Sequence, residues 1–190
     1  MTDANVNTGN KALVVIDLQK AIVSRPCMPY DSQTVVSNAK LLADAFRGKD
    51  MPVFLVHVVR SADGKDALHP PSDNSGWSSP MTPDGTDFVS ELGQVPSDFV
   101  ISKRQWGAFY GTELDLQLRR RSIDTIVLCG ISTDIGVEST ARNAYELGYG
   151  QIFAEDAMSA MSKEEHDHTV QKIFPRIGRV LKTQDIVNLL

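Results

Sequence analysis

"TIVLCGISTDIGVESTARNAYELGYGQIFAED", residues 125–156, decides how the rest of the chain is read. It opens on an apolar run, Thr125–Cys129, short and closed by glycine, as a strand buried on both faces requires. From Asp134 to Leu147 the apolar residues recur at helical spacing, and Gly148 stands where a C′ glycine ends a helix. Gln151–Asp156 then returns to a strand-forming run. Strand, helix and strand in this order make a βαβ unit, which implies parallel pairing and a right-handed crossover.

The same alternation extends in both directions. Ala12–Leu18 ("ALVVIDL") reads as a buried first strand that ends in a carboxylate. A helix is predicted over Ser32–Gly48, where Val35, Val36, Ala39, Leu42 and Phe46 share one face. Pro52 opens a second strand, Val53–Val59, and Phe99–Ser102 is a third. Helical patterns over Thr112–Arg121 and Lys163–Phe174 precede the fourth strand and a short sixth, Arg176–Leu181. The expected class is α/β: a three-layer α/β/α sandwich around a parallel sheet. Residues 1–10 read as a disordered leader and residues 11–190 as one domain. Only Ser61–Ser97, with Pro70, Pro71, Pro80, Pro83 and Pro96, breaks the rhythm. A loop of that length is a lid over the site or a surface excursion.

Bulk properties narrow the function. With 190 residues, 42% hydrophobic and 23% charged, the chain suits a single globular domain. A net charge of −5 gives no nucleic-acid footprint, and Arg119–Arg121 reads as cations at a helix end. Cys27 and Cys129 are too few for a disulfide framework and lack zinc-site spacing. The polar start, "MTDANVNTGN", is not a signal peptide, and no apolar run suits a membrane span. A cytoplasmic location is the expectation.

In an open parallel sheet, ligands bind at the carboxyl ends of the strands. That rim should carry Asp17 from the first strand, Arg60 from the second, Lys103 from the third, and the Gly130–Gly136 turn from the fourth. A carboxylate closing a buried strand is paired, hydrogen-bonded or raised in pKa. Lys103 is either its charge partner or a solvated loop lysine. Trp106, Phe109 and Tyr110 could form a substrate wall, part of the core or a subunit contact. The start of the helix near Asp134 offers amide donors for an anion or a developing oxyanion. Gly136 supplies backbone alone there, for a ligand or for close helix–sheet packing.

Taken together, "ALVVIDLQ", "SKRQWGAFYGT" and "GISTDIGVESTARNAYELGYG" resemble the isochorismatase-like family of cysteine hydrolases. The resemblance implies a six-stranded sheet of order 3-2-1-4-5-6 and a cis peptide between Ile131 and Ser132. It casts Asp17 and Lys103 as catalytic residues and puts Gly136 where most members have the nucleophilic cysteine, so no nucleophile is expected. Members that hydrolyse isochorismate also have glycine there and need no covalent step. Their turn follows an aromatic–alanine–histidine pattern, whereas this chain has Ser132, Thr133 and Asp134 and looks closer to the amidases. The metal-binding branch uses an Asp-x-His pair and another histidine. His57, His69, His166 and His168 form no such pair, so no metal and no cofactor is expected. The implied partners are a small anionic or carbonyl substrate, bounded by Gly136, Ser132, Thr133, Trp106 and Arg60, and further copies in a homodimer or homotetramer. Two functions fit: a hydrolase using general acid/base chemistry, or a binding or regulatory relative that has lost turnover.

Overall fold

The computed structural model describes residues 10–73 and 84–190. Six strands form one sheet: β1 (Lys11–Ile16), β2 (Val53–Val58), β3 (Phe99–Lys103), β4 (Thr125–Ile131), β5 (Gly150–Ser159) and β6 (Arg179–Leu181). Their order is β3-β2-β1-β4-β5-β6, as the family resemblance implies, and every neighbouring pair is parallel. The helices are α1 (Lys20–Val23), α2 (Ser32–Arg47), α3 (Leu114–Arg120), α4 (Glu138–Glu146), α5 (Lys163–His168), α6 (Phe174–Ile177) and α7 (Thr183–Leu189). Wide π-helical turns, Thr133–Val137 and Thr169–Ile173, lead into α4 and α6.

Alternation along the strands divides the core into two layers. Leu13 and Val15 pack with Val35, Ala39, Leu42 and Phe46 of α2 and with Ile186 of α7. Ala12, Val14 and Ile16 pack on the opposite face with Leu114 and Leu118 of α3, Ala141 and Ala144 of α4, and Phe174 of α6. The predicted sandwich is thus present, with β1 at its centre. Val35 has no exposed surface. Truncating it (Val35→Ala) removes two buried carbons and leaves a void, so urea unfolding should show a loss of about 2 kcal/mol.

Element ends differ from the sequence reading in instructive ways. Of the predicted sixth strand only Arg179–Leu181 pairs, because Arg176 and Ile177 complete α6. β5 runs past Asp156 to Ser159 by means of a bulge. Phe153 pairs with Leu128 and Met158 with Gly130, so Ala154–Ala157 face Cys129 alone. Gly148 does terminate α4 with positive φ (85°), and Tyr149 and Gly148 donate back to Ala144 and Tyr145 in a Schellman arrangement. Of the long loop, residues 74–83 lie outside the described residues, as do residues 1–9 of the predicted leader. The loop's return is docked rather than loose. Lys20, Ala21 and Val89 amides donate to Asp87, Gly85 and Leu18 carbonyls, and Leu92 is buried. Among the described residues no helix is long and apolar enough to cross a membrane.

Candidate active site

The chain order reverses between β1 and β4, and the crevice beyond their carboxyl ends is where such sheets bind ligands. Gly130 lets these two strands close. Its φ is 125°, and a Cβ there would lie 2.0 Å from the Ile16 carbonyl oxygen. Immediately after β1 the chain kinks at Asp17, a non-glycine residue with φ of 54°. The Asp17 amide still pairs with Val56, while its carbonyl accepts from Gln19, two residues on. This tight turn aims the carboxylate across the crevice.

Lys103 meets it from β3. Strands are spaced about 4.8 Å apart, so β3 lies roughly 10 Å from β1, and only a long side chain bridges over β2. Lys103 Nζ donates to Asp17 Oδ2 at 2.7 Å and to the Trp106 carbonyl at 2.6 Å. The lysine side chain is 1% exposed and the aspartate 8%. Burial pushes the Asp17 carboxyl above its ordinary value, and the Lys103 ammonium opposes that rise without cancelling it. Asp17 Oδ1 is buried and has no hydrogen-bond partner among the described residues.

Gly136 completes the arrangement. The ideal position of a Cβ there lies 3.1 Å from Asp17 Oδ2, 3.5 Å from Lys103 Nζ and 3.0 Å from Ile16 Cγ2. The turn residue without a side chain therefore points at the acid–ammonium pair. Its carbonyl accepts from Thr140 Oγ1 at 2.7 Å, and Thr140 accepts in turn from the Ala108 amide at 3.1 Å. This ties the segment after Lys103 to α4. The Ile131–Ser132 peptide is cis, as the resemblance implies.

The other predicted site residues scatter. Thr133 is fully buried, with its hydroxyl 2.9 Å from His166 Nδ1. Ser132 donates to the Asp134 carboxylate. Trp106 is 60% exposed beside Lys103, and Arg60, half-buried, follows β2. The aromatic trio does not act as one wall. Phe109 turns inward and stacks on Tyr149 at 5.7 Å, whereas Tyr110 faces solvent.

Two residues with structural work at this rim escaped notice as such. Gln19, the last letter of "ALVVIDLQ", is fully buried. Its amide donates to the Val58 and Thr86 carbonyls, and its oxygen accepts from the Val58 amide. It thus joins the exit of β1 to β2 and to the returning loop. His166, which belongs to no metal-ligand pair in the sequence, lies buried behind the turn. A polar residue closing an apolar strand was the available signal for Gln19; His166 offered none.

Neither native thiol reaches the pair. Cys27 packs in the α2-side core and donates to the Tyr30 carbonyl at 3.2 Å. Cys129 has no exposed surface, and burial pushes its thiol far above the ordinary value. A thiol reagent at neutral pH should therefore leave Cys129 unlabelled in the folded protein and label it on unfolding, as read by intact mass. A cleft of about 690 Å³ opens elsewhere, at the amino ends of the strands near Lys11, Val53 and Phe99. It lies at the opposite end of the sheet from the Asp17–Lys103 pair, and two of its cations are engaged: Arg47 is held by Asp98 and Arg121 lies over Phe99.

Comparison with known proteins gives the family of the chain and agrees with the fold. A model of the isochorismatase domain matches residues 11–185, and the chain belongs to the isochorismatase family. The isochorismatase family protein YwoC of Bacillus subtilis (strain 168) is 53% identical over 190 residues, covering 98% of this chain and 97% of its own. The structure of an isochorismatase family protein from Burkholderia thailandensis superposes with a TM-score of 0.93 at 44% identity over 95% of each chain. More distantly, the ureidoacrylate amidohydrolase RutB of Cronobacter turicensis is 31% identical over 169 residues, 77% of this chain and 73% of RutB.

Proposed function

We propose that the protein is a hydrolase of a small anionic or carbonyl substrate that works without a covalent nucleophile. Asp17 is the general acid and base, and Lys103 its electrostatic partner. The Ser132–Gly136 turn, with Thr133 contributing backbone, receives the substrate, and Trp106 and Arg60 bound it. One observation carries this reading. The Asp17 carboxyl has Oδ2 fixed by Lys103, Oδ1 unpartnered among the described residues and a raised affinity for its proton, beside a turn residue that brings backbone alone up to the pair.

In such a site Oδ1 gives its proton to the enol carbon of a vinyl ether, or to the leaving nitrogen of a C–N bond. Water adds to the electrophilic carbon and gives its surplus proton to the carboxylate. The tetrahedral adduct then collapses to a carbonyl, breaking the C–O bond as its hydroxyl proton passes to the departing oxygen, or breaking the C–N bond as the already protonated nitrogen leaves as the amine. Lys103 stabilises the carboxylate formed between the two transfers. Family membership supports the vinyl-ether class. The likeness to a ureidoacrylate amidohydrolase and the Ser132–Thr133–Asp134 turn support ureides and amides.

The test is a screen of isochorismate, N-carbamoyl compounds and small amides with wild type and Asp17→Asn. Turnover lost in the variant supports the assignment, and turnover unchanged in it removes Asp17 from the mechanism. The second reading, a binding relative without turnover, is favoured by Gly136 at the family's cysteine position. It predicts that calorimetry detects binding of a screened compound that is never converted.

A further inference from the structure

Behind the turn lies a set of buried polar side chains that the proposed reaction does not use. Thr133 and His166 are both essentially inaccessible, and their hydroxyl and Nδ1 are 2.9 Å apart. His166 is set by α5, which starts on a capping box: Ser162 Oγ accepts from the Glu165 amide and Glu165 accepts from the Ser162 amide. Its ring meets Tyr30 edge-on at 5.9 Å. Its Nε2 faces Glu155 Oε1 at 3.9 Å, beyond hydrogen-bond reach. Glu155 comes from the bulged stretch of β5, accepts from the Tyr30 hydroxyl at 2.8 Å and pairs with Lys182. Burial alone would raise the Glu155 carboxyl, but His166, Lys182 and Tyr30 together bring it down to about 2.

Apolar residues of similar shape could fill these positions, so packing does not require the polar ones. What a polar network adds is one defined orientation for the groups it joins. Here the group joined is the start of the turn that carries Gly136 to the Asp17–Lys103 pair. We infer that His166 is a positioning residue which, by holding the Thr133 hydroxyl, fixes the orientation of the Ser132–Gly136 turn over that pair. The inference rests on the reading that the reaction runs at Asp17. His166 itself touches no reacting atom; misplacement by about 1 Å is enough to cost a reaction of this kind about 10²-fold.

The test uses a reporter thiol and needs no turnover. Gly136→Cys puts a thiol over the pair, and its rate of capture by iodoacetamide across pH reads how the turn faces Lys103. In that background Thr133→Val and His166→Phe should each slow capture about fivefold, the loss expected for one hydrogen bond. The double variant should be no slower than the worse single, and Thr133→Ser, which keeps the hydroxyl, should stay within about twofold of the parent. A packing role predicts the reverse order, because valine keeps the volume of threonine and serine does not. Capture as fast with valine as with threonine, serine no better than valine, multiplying effects, or an inert parent thiol would each overturn the inference. Should His166→Phe fail to fold, the valine–serine comparison decides alone. Failure of the Asp17 assignment would appear in the turnover screen and leave these capture rates unchanged.

Discussion

Asp17→Asn should lower turnover of the preferred substrate by about 10³-fold, within the range for losing a positioned general acid. Asparagine keeps the shape and can still accept from Lys103, so the loss reports the proton rather than the packing. The pH dependence carries the sign. Burial holds the folded-state value above the ordinary 3.8. The proton is therefore bound more tightly by the folded chain than by the unfolded one. Its contribution to stability is complete below 3.8 and is lost as pH rises through the folded value. Wild-type turnover should fall along that same limb, and the limb should vanish in Asp17→Asn. Lys103→Met tests the partner. Removing the ammonium removes the influence that lowers the acid, so the limb moves to higher pH as the rate drops. The same substitution leaves the carboxyl buried without its partner, which for a buried pair costs about 3–5 kcal/mol if the group stays charged. Protonation relieves part of that cost. Rate profiles that keep the limb in Asp17→Asn, or that move the other way in Lys103→Met, contradict the assignment.

Gly136→Cys gives the opposite kind of result, a gain. Gly136 has no left-handed backbone requirement, and the contacts a Cβ would make are an isoleucine methyl and the Asp17 and Lys103 side chains. Folding should cost at most about 2 kcal/mol, with relief of glycine's flexibility offsetting part of the crowding. The introduced thiol sits beside a lysine and at the start of a helix, the setting in which thiols become nucleophiles. Hydrolysis of activated esters or N-carbamoyl compounds should rise by about 10²-fold or more over wild type, through an acyl-enzyme that intact mass detects. A variant that folds yet forms no such adduct would show that the turn does not address a carbonyl as the family geometry suggests.

The parts of this molecule that were legible in the sequence are those governed by local pattern. The βαβ unit of residues 125–156, the α2 stripe and Gly148 all follow from periodicity and backbone freedom, and each stands where expected. Asp17 and Lys103 could be placed on one rim because parallel strands align their carboxyl ends. That Lys103 crosses a whole strand to reach Asp17 depends on sheet order, which periodicity does not encode. The β5 bulge was hidden for a similar reason. "QIFAEDAMS" reads as one strand that weakens at its charges, and only its pairing with β4 shows that Ala154–Ala157 lie opposite the single residue Cys129. His166 lay in a polar helix, where nothing marks one histidine as the buried one.

Among the described residues Lys103 belongs to the outermost strand, paired along one side, with five residues of β2. Outermost strands are the first to peel in local opening. Each such excursion would withdraw the ammonium and leave the acid holding its proton more tightly, without the group that stabilises its carboxylate. For a reaction at Asp17 as proposed, the margin of the sheet would set how long the pair stays assembled, and whatever clasps that margin would prolong it.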